Sequence, residues 1–288
     1  MKARLTGFAA TLAIAAITFT GVAAAGQPTS ATRGAQAVQP SQQELAALTG
    51  MVESSSHNPK VSVTSIFAGP SGLTGMVIHQ PGAADSVAWV TADHKVVIPG
   101  AIYDAFGNDL TRNAMYTAGV YETPERALHD ASAPAARPIM DGTAGPVVTF
   151  FLDANCIYCH MFYDEIQPYV RTGKFRVRYV MVGVIKPTSA PRASAILAAA
   201  DPLKAIAKDE AAFDVKDEEG GYPVAAAKNA AETATVTANN ELMRRVGSNG
   251  TPTLLFCSTG KVQMQQGMPH DISAWASTLS TEGAAECR

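Results

Sequence analysis

Residues 150–160 decide the fold, and they read Phe150-Phe151-Leu152-Asp153-Ala154-Asn155-Cys156-Ile157-Tyr158-Cys159-His160. The first three, with two valines shortly before them, form an apolar run that predicts a buried β-strand. The polar turn that follows ends in Asn155, which predicts a helix N-cap. We therefore expect Cys156 at a helix N-terminus, where unpaired amides and the helix dipole favour the thiolate, the nucleophilic form of cysteine.

The spacing of the two cysteines in this stretch predicts redox chemistry. Cys159 follows Cys156 by about one helical turn, so the two sulfurs can meet. A zinc site and an inert disulfide are the alternatives. Zinc would need two more ligands, and Cys257 and Cys287 form no second closely spaced pair. A bridge this short would close too small a loop to stabilise much. We therefore expect a redox-active pair, with no metal and no cofactor.

Composition and the N-terminus indicate an exported protein. The chain has 288 residues, enough for two modest domains, and its net charge of -3 gives no basic surface for nucleic acid. Lys2 and Arg4 precede an uncharged stretch that ends in Ala23-Ala24-Ala25. This pattern predicts a secretory signal peptide over residues 1–25, with an uncleaved membrane anchor as the alternative. Export would place the cysteines in an oxidising compartment.

The rest of the chain divides into four segments. Residues 26–41 predict a flexible leader, because they are rich in Ala, Gln, Thr and Pro without periodicity. Residues 42–121 predict a small cystatin-like α+β domain whose exposed sheet edge would serve dimerisation. Residues 122–138 predict a linker helix that begins with proline in its first turn. Residues 139–288 predict β-α-β, a helical insertion over about 187–247, and then β-β-α, which is the order of the thioredoxin fold.

Several motifs spread over residues 139–288 together carry a family resemblance. They are Met140-Asp141-Gly142, Asn155-Cys156-Ile157-Tyr158-Cys159, Thr172-Gly173-Lys174, Val182-Gly183-Val184-Ile185-Lys186-Pro187, Asp201-Pro202, Thr251-Pro252 and Gly267-Met268-Pro269. In these motifs the chain resembles the periplasmic disulfide isomerases of the DsbC and DsbG family, most of all the DsbG branch. The resemblance implies that Cys156 is the attacking thiolate and Cys159 the resolving thiol. It also implies a cis peptide bond at Thr251–Pro252, which with Tyr158 would bind the substrate chain.

The resemblance also implies a function and partners. Isomerisation or reduction of non-native disulfides in misoxidised exported proteins would be the activity, with sulfenic acids as a further substrate class. A V-shaped homodimer, a periplasmic location and a DsbD-type membrane reductant would accompany it. A net disulfide oxidase or reductase is one alternative, and a chaperone-like binding protein that uses the dimer cleft is the other.

Two features depart from the DsbG pattern: the residues at the cysteine pair, and the further cysteines Cys257 and Cys287. The pair encloses Ile157-Tyr158 in place of Pro-Tyr, so the family's thiolate pKa and reduction potential do not carry over. His160 resembles the DsbC branch, and a cationic imidazole there would lower the pKa of Cys156, whereas an exposed bystander is the alternative. We also predict a structural disulfide between Cys257, which follows the cis-proline strand, and Cys287, which follows the last helix.

Overall fold

A computed structural model of the chain describes residues 40–82, 85–105, 109–224 and 230–280. The predicted signal peptide, residues 26–39 of the leader and Cys287 lie outside the described residues. Within the described ranges, no helix combines the length and the apolar character that crossing a bilayer requires.

The N-terminal part forms one helix and a four-stranded antiparallel sheet. Helix α1 (Gln42–Ser56) begins at Ser41, whose hydroxyl accepts a hydrogen bond from the amide of Glu44 at 3.1 Å. The strands follow in chain order: β1 (Ser62–Ala68), β2 (Thr74–His79), β3 (Ser86–Val90) and β4 (Val97–Pro99). Leu48 and Val52 on α1 pack against the sheet in one small core. Residues 42–121 contain both helix and sheet, as the sequence predicts, and their role in dimerisation stays a prediction.

Two helices connect this sheet to the second one. Helix α2 (Leu110–Thr117), which the sequence reasoning missed, is capped by Asp109. Helix α3 (Pro124–Ser132) begins at Thr123 and has proline in its first turn, as expected. The apolar face of α3 is buried with Phe151 and Leu255 of the second sheet. The helix predicted as a linker therefore packs against the second sheet and belongs to the core of the C-terminal domain.

The second sheet has the thioredoxin-like order that the sequence predicts. Its strands are β5 (Ile139–Asp141), β6 (Val147–Asp153), β7 (Arg176–Val182), β8 (Thr253–Ser258) and β9 (Lys261–Gln266). They lie in the order β5-β7-β6-β8-β9, and only the β6–β7 pair is parallel. Helix α4 (Ile157–Arg171) makes the crossover from β6 to β7. The predicted α+β class with a thioredoxin-like domain is confirmed.

Helices cover both faces of this sheet. The insertion between β7 and β8 forms α5 (Ser189–Leu197), α6 (Pro202–Ala211) and α7 (Ala230–Arg245), and α8 (Ile272–Ser277) closes the fold. Strand β6 is buried on both faces: Phe150 points into one core and Phe151 into the other. Strands β6 and β7 end at the same edge of the sheet, where β8 begins. Loops from three strands therefore meet at this edge.

Candidate active site

The two cysteines of the motif lie at this edge, at the start of α4. Cys156 is the N-cap residue, and its Sγ accepts a hydrogen bond from the backbone amide of Cys159 at 3.4 Å. Both thiols are free, Cys156 is 4% exposed, and Cys159 is fully buried. The expected position of Cys156 at a helix N-terminus is confirmed, and the dipole there favours a thiolate.

The two thiols differ in acid strength. The pKa of Cys156 is lowered to about 7, chiefly because the Cys159 thiol donates a hydrogen bond to its sulfur, while burial opposes the shift. The pKa of Cys159 is raised well above its ordinary value, first by burial and then by the bond to Cys156. Near neutral pH a large fraction of Cys156 is therefore thiolate, whereas Cys159 stays protonated.

The loop before β8 faces Cys156 from the other side. The Thr251–Pro252 peptide bond is cis, as the resemblance implies. In its thiol form Cys156 donates a hydrogen bond to the carbonyl of Thr251, at an Sγ···O distance of 3.4 Å. The Thr251 hydroxyl also lowers the pKa of Cys156, although among the described residues it has no well-formed hydrogen bond. This loop therefore presents backbone and a hydroxyl directly to the sulfur of Cys156.

Two buried hydroxyls fix the shape of that loop. Ser248 Oγ lies 2.6 Å from Thr253 Oγ1 and donates to the side-chain oxygen of Gln266 at 3.1 Å. Thr253 Oγ1 donates to the carbonyl of Gly250 at 2.6 Å, and Gly267 N donates to the carbonyl of Pro252 at 2.8 Å. These bonds hold both ends of the loop against β9.

Asp153, at the end of β6, connects the cysteine loop to the loop after β7. Its carboxylate is fully buried and accepts three backbone N–H groups: Asn155 at 2.9 Å, Val184 at 2.7 Å and Ile185 at 2.9 Å. Its carbonyl also accepts the amide of Cys156 at 3.0 Å. A buried carboxylate is stable in such a setting because the amides replace its hydration.

The expectation that Asn155 caps α4 is wrong, because the helix begins one residue later with Cys156 as the cap. The side chain of Asn155 is occupied elsewhere. Its amide nitrogen donates to Thr188 Oγ1 at 2.8 Å, and its oxygen accepts from Arg192 Nε at 2.9 Å and from Gly220 N at 3.0 Å. The side chain of Asn155, directly before Cys156, therefore connects the turn after β6 to the start of α5 and to the loop after α6.

The side chain of His160 pairs with a buried acidic residue, Glu210. Its Nδ1 lies 2.9 Å from Glu210 Oε2, and its ring stacks on Phe213 with 4.4 Å between centroids. The hydrogen bond to Glu210 raises the pKa of His160, so the imidazole is cationic over a wider pH range. It is 16% exposed, and its charge is matched by a carboxylate. Its predicted effect on Cys156 stays a prediction.

Two other predicted residues have clear positions. Tyr158 lies in the first turn of α4 and is 59% exposed, and its role in substrate binding stays a prediction. Cys257 lies in β8 and is disulfide-bonded. Its pairing with Cys287 stays a prediction, since Cys287 is outside the described residues.

The sequence reasoning missed the polar residues that support the cysteines. Asp153 was available as a signal, because it is a charged residue that closes an apolar strand three positions before Cys156. The roles of Arg192, Glu210 and Ser248 had no local signal, since each depends on a partner brought close by the fold. Within the described residues, no three His, Cys, Asp or Glu side chains lie together as metal ligands would.

Comparison with known proteins agrees with this geometry. Residues 135–278 match the family described as a thioredoxin-like domain. The thiol:disulfide interchange protein DsbG of Pseudomonas aeruginosa is 34% identical over 206 residues, which cover 70% of this chain and 78% of that protein. The protein of the same name from Escherichia coli K12 is 29% identical over 215 residues, which cover 73% and 83%.

A solved structure of Helicobacter pylori DsbG has a TM-score of 0.35 and 19% identity, covering 72% of this chain and 97% of that one. That score is too low to carry an argument, so the assignment depends on the sequence relatives and the family match. Their extent and identity, together with a thiol pair at the start of a thioredoxin-like helix, place this chain in the DsbG family of thiol:disulfide interchange proteins, and its activity is thiol–disulfide oxidoreduction.

Proposed function

We propose that this protein isomerises or reduces non-native disulfides in exported proteins of the periplasm, with Cys156 as nucleophile and Cys159 as resolving thiol. The observation that supports this proposal best is the difference in acid strength between the two thiols. Cys156 has a pKa of about 7 and lies at a helix N-terminus, whereas buried Cys159 keeps its proton. An attacking thiol works best when its pKa is near the ambient pH.

The reaction proceeds by two exchanges. The Cys156 thiolate attacks one sulfur of a substrate disulfide, so a mixed disulfide forms and the other substrate sulfur leaves as a thiolate. In isomerisation a substrate thiolate then attacks the mixed disulfide and releases Cys156. In reduction Cys159 loses its proton to solvent or to the departing thiolate and attacks Cys156, so the substrate leaves reduced and the pair is oxidised.

The remaining parts of the proposal concern partners and location. A membrane reductant of the DsbD type would return the oxidised pair to the dithiol. Homodimerisation through the N-terminal sheet would shield Cys156 and Cys159 from the proteins that introduce disulfides in the periplasm. The predicted signal peptide supports export, and a sulfenic acid can replace a disulfide as the electrophile because Cys156 attacks sulfur in both cases.

Refolding of scrambled ribonuclease A by the reduced mature protein tests this function. We expect the wild-type protein to restore ribonuclease activity and Cys156→Ser to abolish the effect. Cys159→Ser should retain part of the isomerase activity, because a substrate thiol can still resolve the mixed disulfide. A protein that oxidises reduced ribonuclease without correcting scrambled pairs would be a net oxidase. Undiminished protection against aggregation by Cys156→Ser, without isomerisation, would indicate a binding protein instead.

A further inference from the structure

Several of the apolar side chains that remain exposed lie near the cysteine pair. Nine large apolar residues are exposed within the described residues, and four of them lie at this edge of the sheet: Tyr158, Met161, Val184 and Ile185. Val184 and Ile185 are adjacent in sequence, 38% and 43% exposed, and follow β7 after Gly183. Exposed apolar residues that cluster beside a reactive group indicate a binding surface.

The segment that carries Val184 and Ile185 is held firmly by side chains. The amide of Gly183 donates to Asn240 Oδ1 at 2.8 Å, and the amide of Lys186 donates to Ser189 Oγ at 3.0 Å. The two amides between them donate to Asp153 Oδ2. Four consecutive backbone amides are thus bound to side-chain oxygens, so the two exposed side chains extend from a rigid backbone.

The same carboxylate fixes this segment relative to the reactive sulfur. Asp153 binds the amides of Val184 and Ile185 with one oxygen and the amide of Asn155 with the other, and its carbonyl binds the amide of Cys156. Strand β7 lies on one side of β6 and β8 on the other. Cys156 therefore lies between the Thr251–Pro252 loop and the Val184–Ile185 segment.

We infer that Val184 and Ile185 form a subsite for an apolar side chain next to the reacting cysteine of a substrate polypeptide. This inference rests on the proposed function and narrows its substrate class to chains with exposed apolar residues beside cysteine, as in unfolded proteins. Because the segment is rigid before substrate arrives, binding loses little conformational entropy. An apolar residue flanking the substrate cysteine would cover surface that is otherwise exposed to water.

Peptides activated with thionitrobenzoate test the subsite. Each peptide has one cysteine joined to thionitrobenzoate by a disulfide, with leucine on both sides in one peptide and serine in the other. The Cys156 thiolate attacks the peptide sulfur, thionitrobenzoate leaves as a coloured thiolate, and Cys159 then displaces the peptide as a thiol. The substrate disulfide is reduced by two electrons and the protein pair is oxidised. We expect the leucine peptide to react about tenfold faster, the ratio that burying one to two methylene groups gives.

The double variant Val184→Ser/Ile185→Ser should lose this preference. Its rate with the serine peptide and with free dithiobis(nitrobenzoate) should stay within about twofold of wild type, since neither probe uses the subsite. The matched control Val96→Ser, which changes an exposed valine just before β4 of the N-terminal sheet, should keep the preference. Thermal unfolding of all variants checks that the substitutions leave the fold intact.

Each outcome decides a separate question. Equal rates for the two peptides in the wild type would overturn the subsite, and so would a preference that survives in the double variant. A preference lost instead in Met161→Ser would place apolar binding on α4 and also reject the inference. Failure of the wild type to react with any of the three disulfides would contradict the proposed function itself.

Discussion

Cys156 owes its acidity mainly to Cys159, and this dependence can be measured. We expect iodoacetamide to alkylate the reduced protein at Cys156 with a rate that rises with pH around a midpoint near pH 7. Cys159→Ala removes the thiol that donates to the Cys156 sulfur, so the midpoint should rise. Cys159→Ser keeps a donor and should raise it less. Mass spectrometry of the alkylated protein gives both the site and the rate.

The same alkylation assay addresses His160. Because Glu210 pairs with this imidazole at 2.9 Å, we expect His160→Ala to leave the Cys156 midpoint nearly unchanged. A clear upward shift would show that the imidazolium acts on the thiolate, as the resemblance of His160 to the DsbC branch predicts. A midpoint for wild-type Cys156 above pH 8.5 would contradict the assigned role of Cys159.

Asp209, a buried residue near the end of α6, should make the stability of the protein depend on pH. Burial raises its pKa to about 7, and its Oδ2 has no hydrogen-bond partner among the described residues. Because the carboxyl pKa is raised on folding, the folded state binds a proton at Asp209 more tightly than the unfolded state does. The stability that this proton contributes is complete below about pH 4 and is lost as pH rises through about 7. Between pH 5 and pH 8 this residue alone should remove about 2 to 3 kcal/mol from the free energy of unfolding.

Asp209→Asn cannot ionise, so its urea-unfolding free energy should fall less between pH 5 and pH 8 than that of the wild type. Asp217→Asn is the matched control, because it makes the same substitution at an exposed position. Identical pH dependence in Asp209→Asn and the wild type would show that Asp209 titrates normally in the folded protein.

The edge where β6, β7 and β8 meet depends on one buried carboxylate. Asp153→Asn would place an amide group against backbone N–H donors, so we expect it to lower the free energy of unfolding by about 3 kcal/mol. Asp201→Asn makes the same change at an exposed N-cap of α6, where asparagine caps equally well, and should cost less than about 0.5 kcal/mol. Urea unfolding at pH 7 measures both; a cost for Asp153→Asn no larger than that of Asp201→Asn would contradict the role of this carboxylate.

Local patterns were sufficient to predict the elements but not their connections. The apolar run of β6 and the proline in the first turn of α3 are each encoded within about ten residues, so these elements could be predicted. Helix α2 (Leu110–Thr117) was missed because it has only 8 residues, too few to show a sustained helical period. The hydrogen bonds from the amides of Val184 and Ile185 to Asp153 join residues about thirty positions apart. The hydrogen bonds of Asn155 with Arg192 and Gly220 span still more of the sequence. Such contacts follow from how strands and helices pack, which no local pattern reports.

The N-terminal sheet and the thioredoxin-like domain are joined by specific contacts near residue 245. Arg245 Nε lies 2.9 Å from Glu122 Oε1, and the Tyr116 hydroxyl donates to the carbonyl of Val246 at 3.2 Å. Tyr121 packs in the same small core as Trp89. The ring of Tyr121 lies so close to Gly247 that an added Cβ would be 2.4 Å from two of its carbons. Contact between the two parts of the molecule therefore requires glycine at this position.

Gly247→Ala should weaken the molecule more than an equivalent change elsewhere. Gly247 has φ +80° and Gly173 has φ +69°, so alanine costs about 1 kcal/mol at either position from backbone strain. At Gly173 the nearest atom to the added Cβ is Ala144 Cβ at 3.2 Å, whereas at Gly247 the tyrosine ring must move. We expect Gly247→Ala to cost about 1 to 3 kcal/mol more than Gly173→Ala in urea unfolding.

In a Trp275→Phe background, fluorescence reports Trp89 alone, and its emission should change in Gly247→Ala because Tyr121 must shift within the shared core. Equal unfolding costs and unchanged Trp89 emission would mean that Tyr121 does not dock on Gly247 in solution.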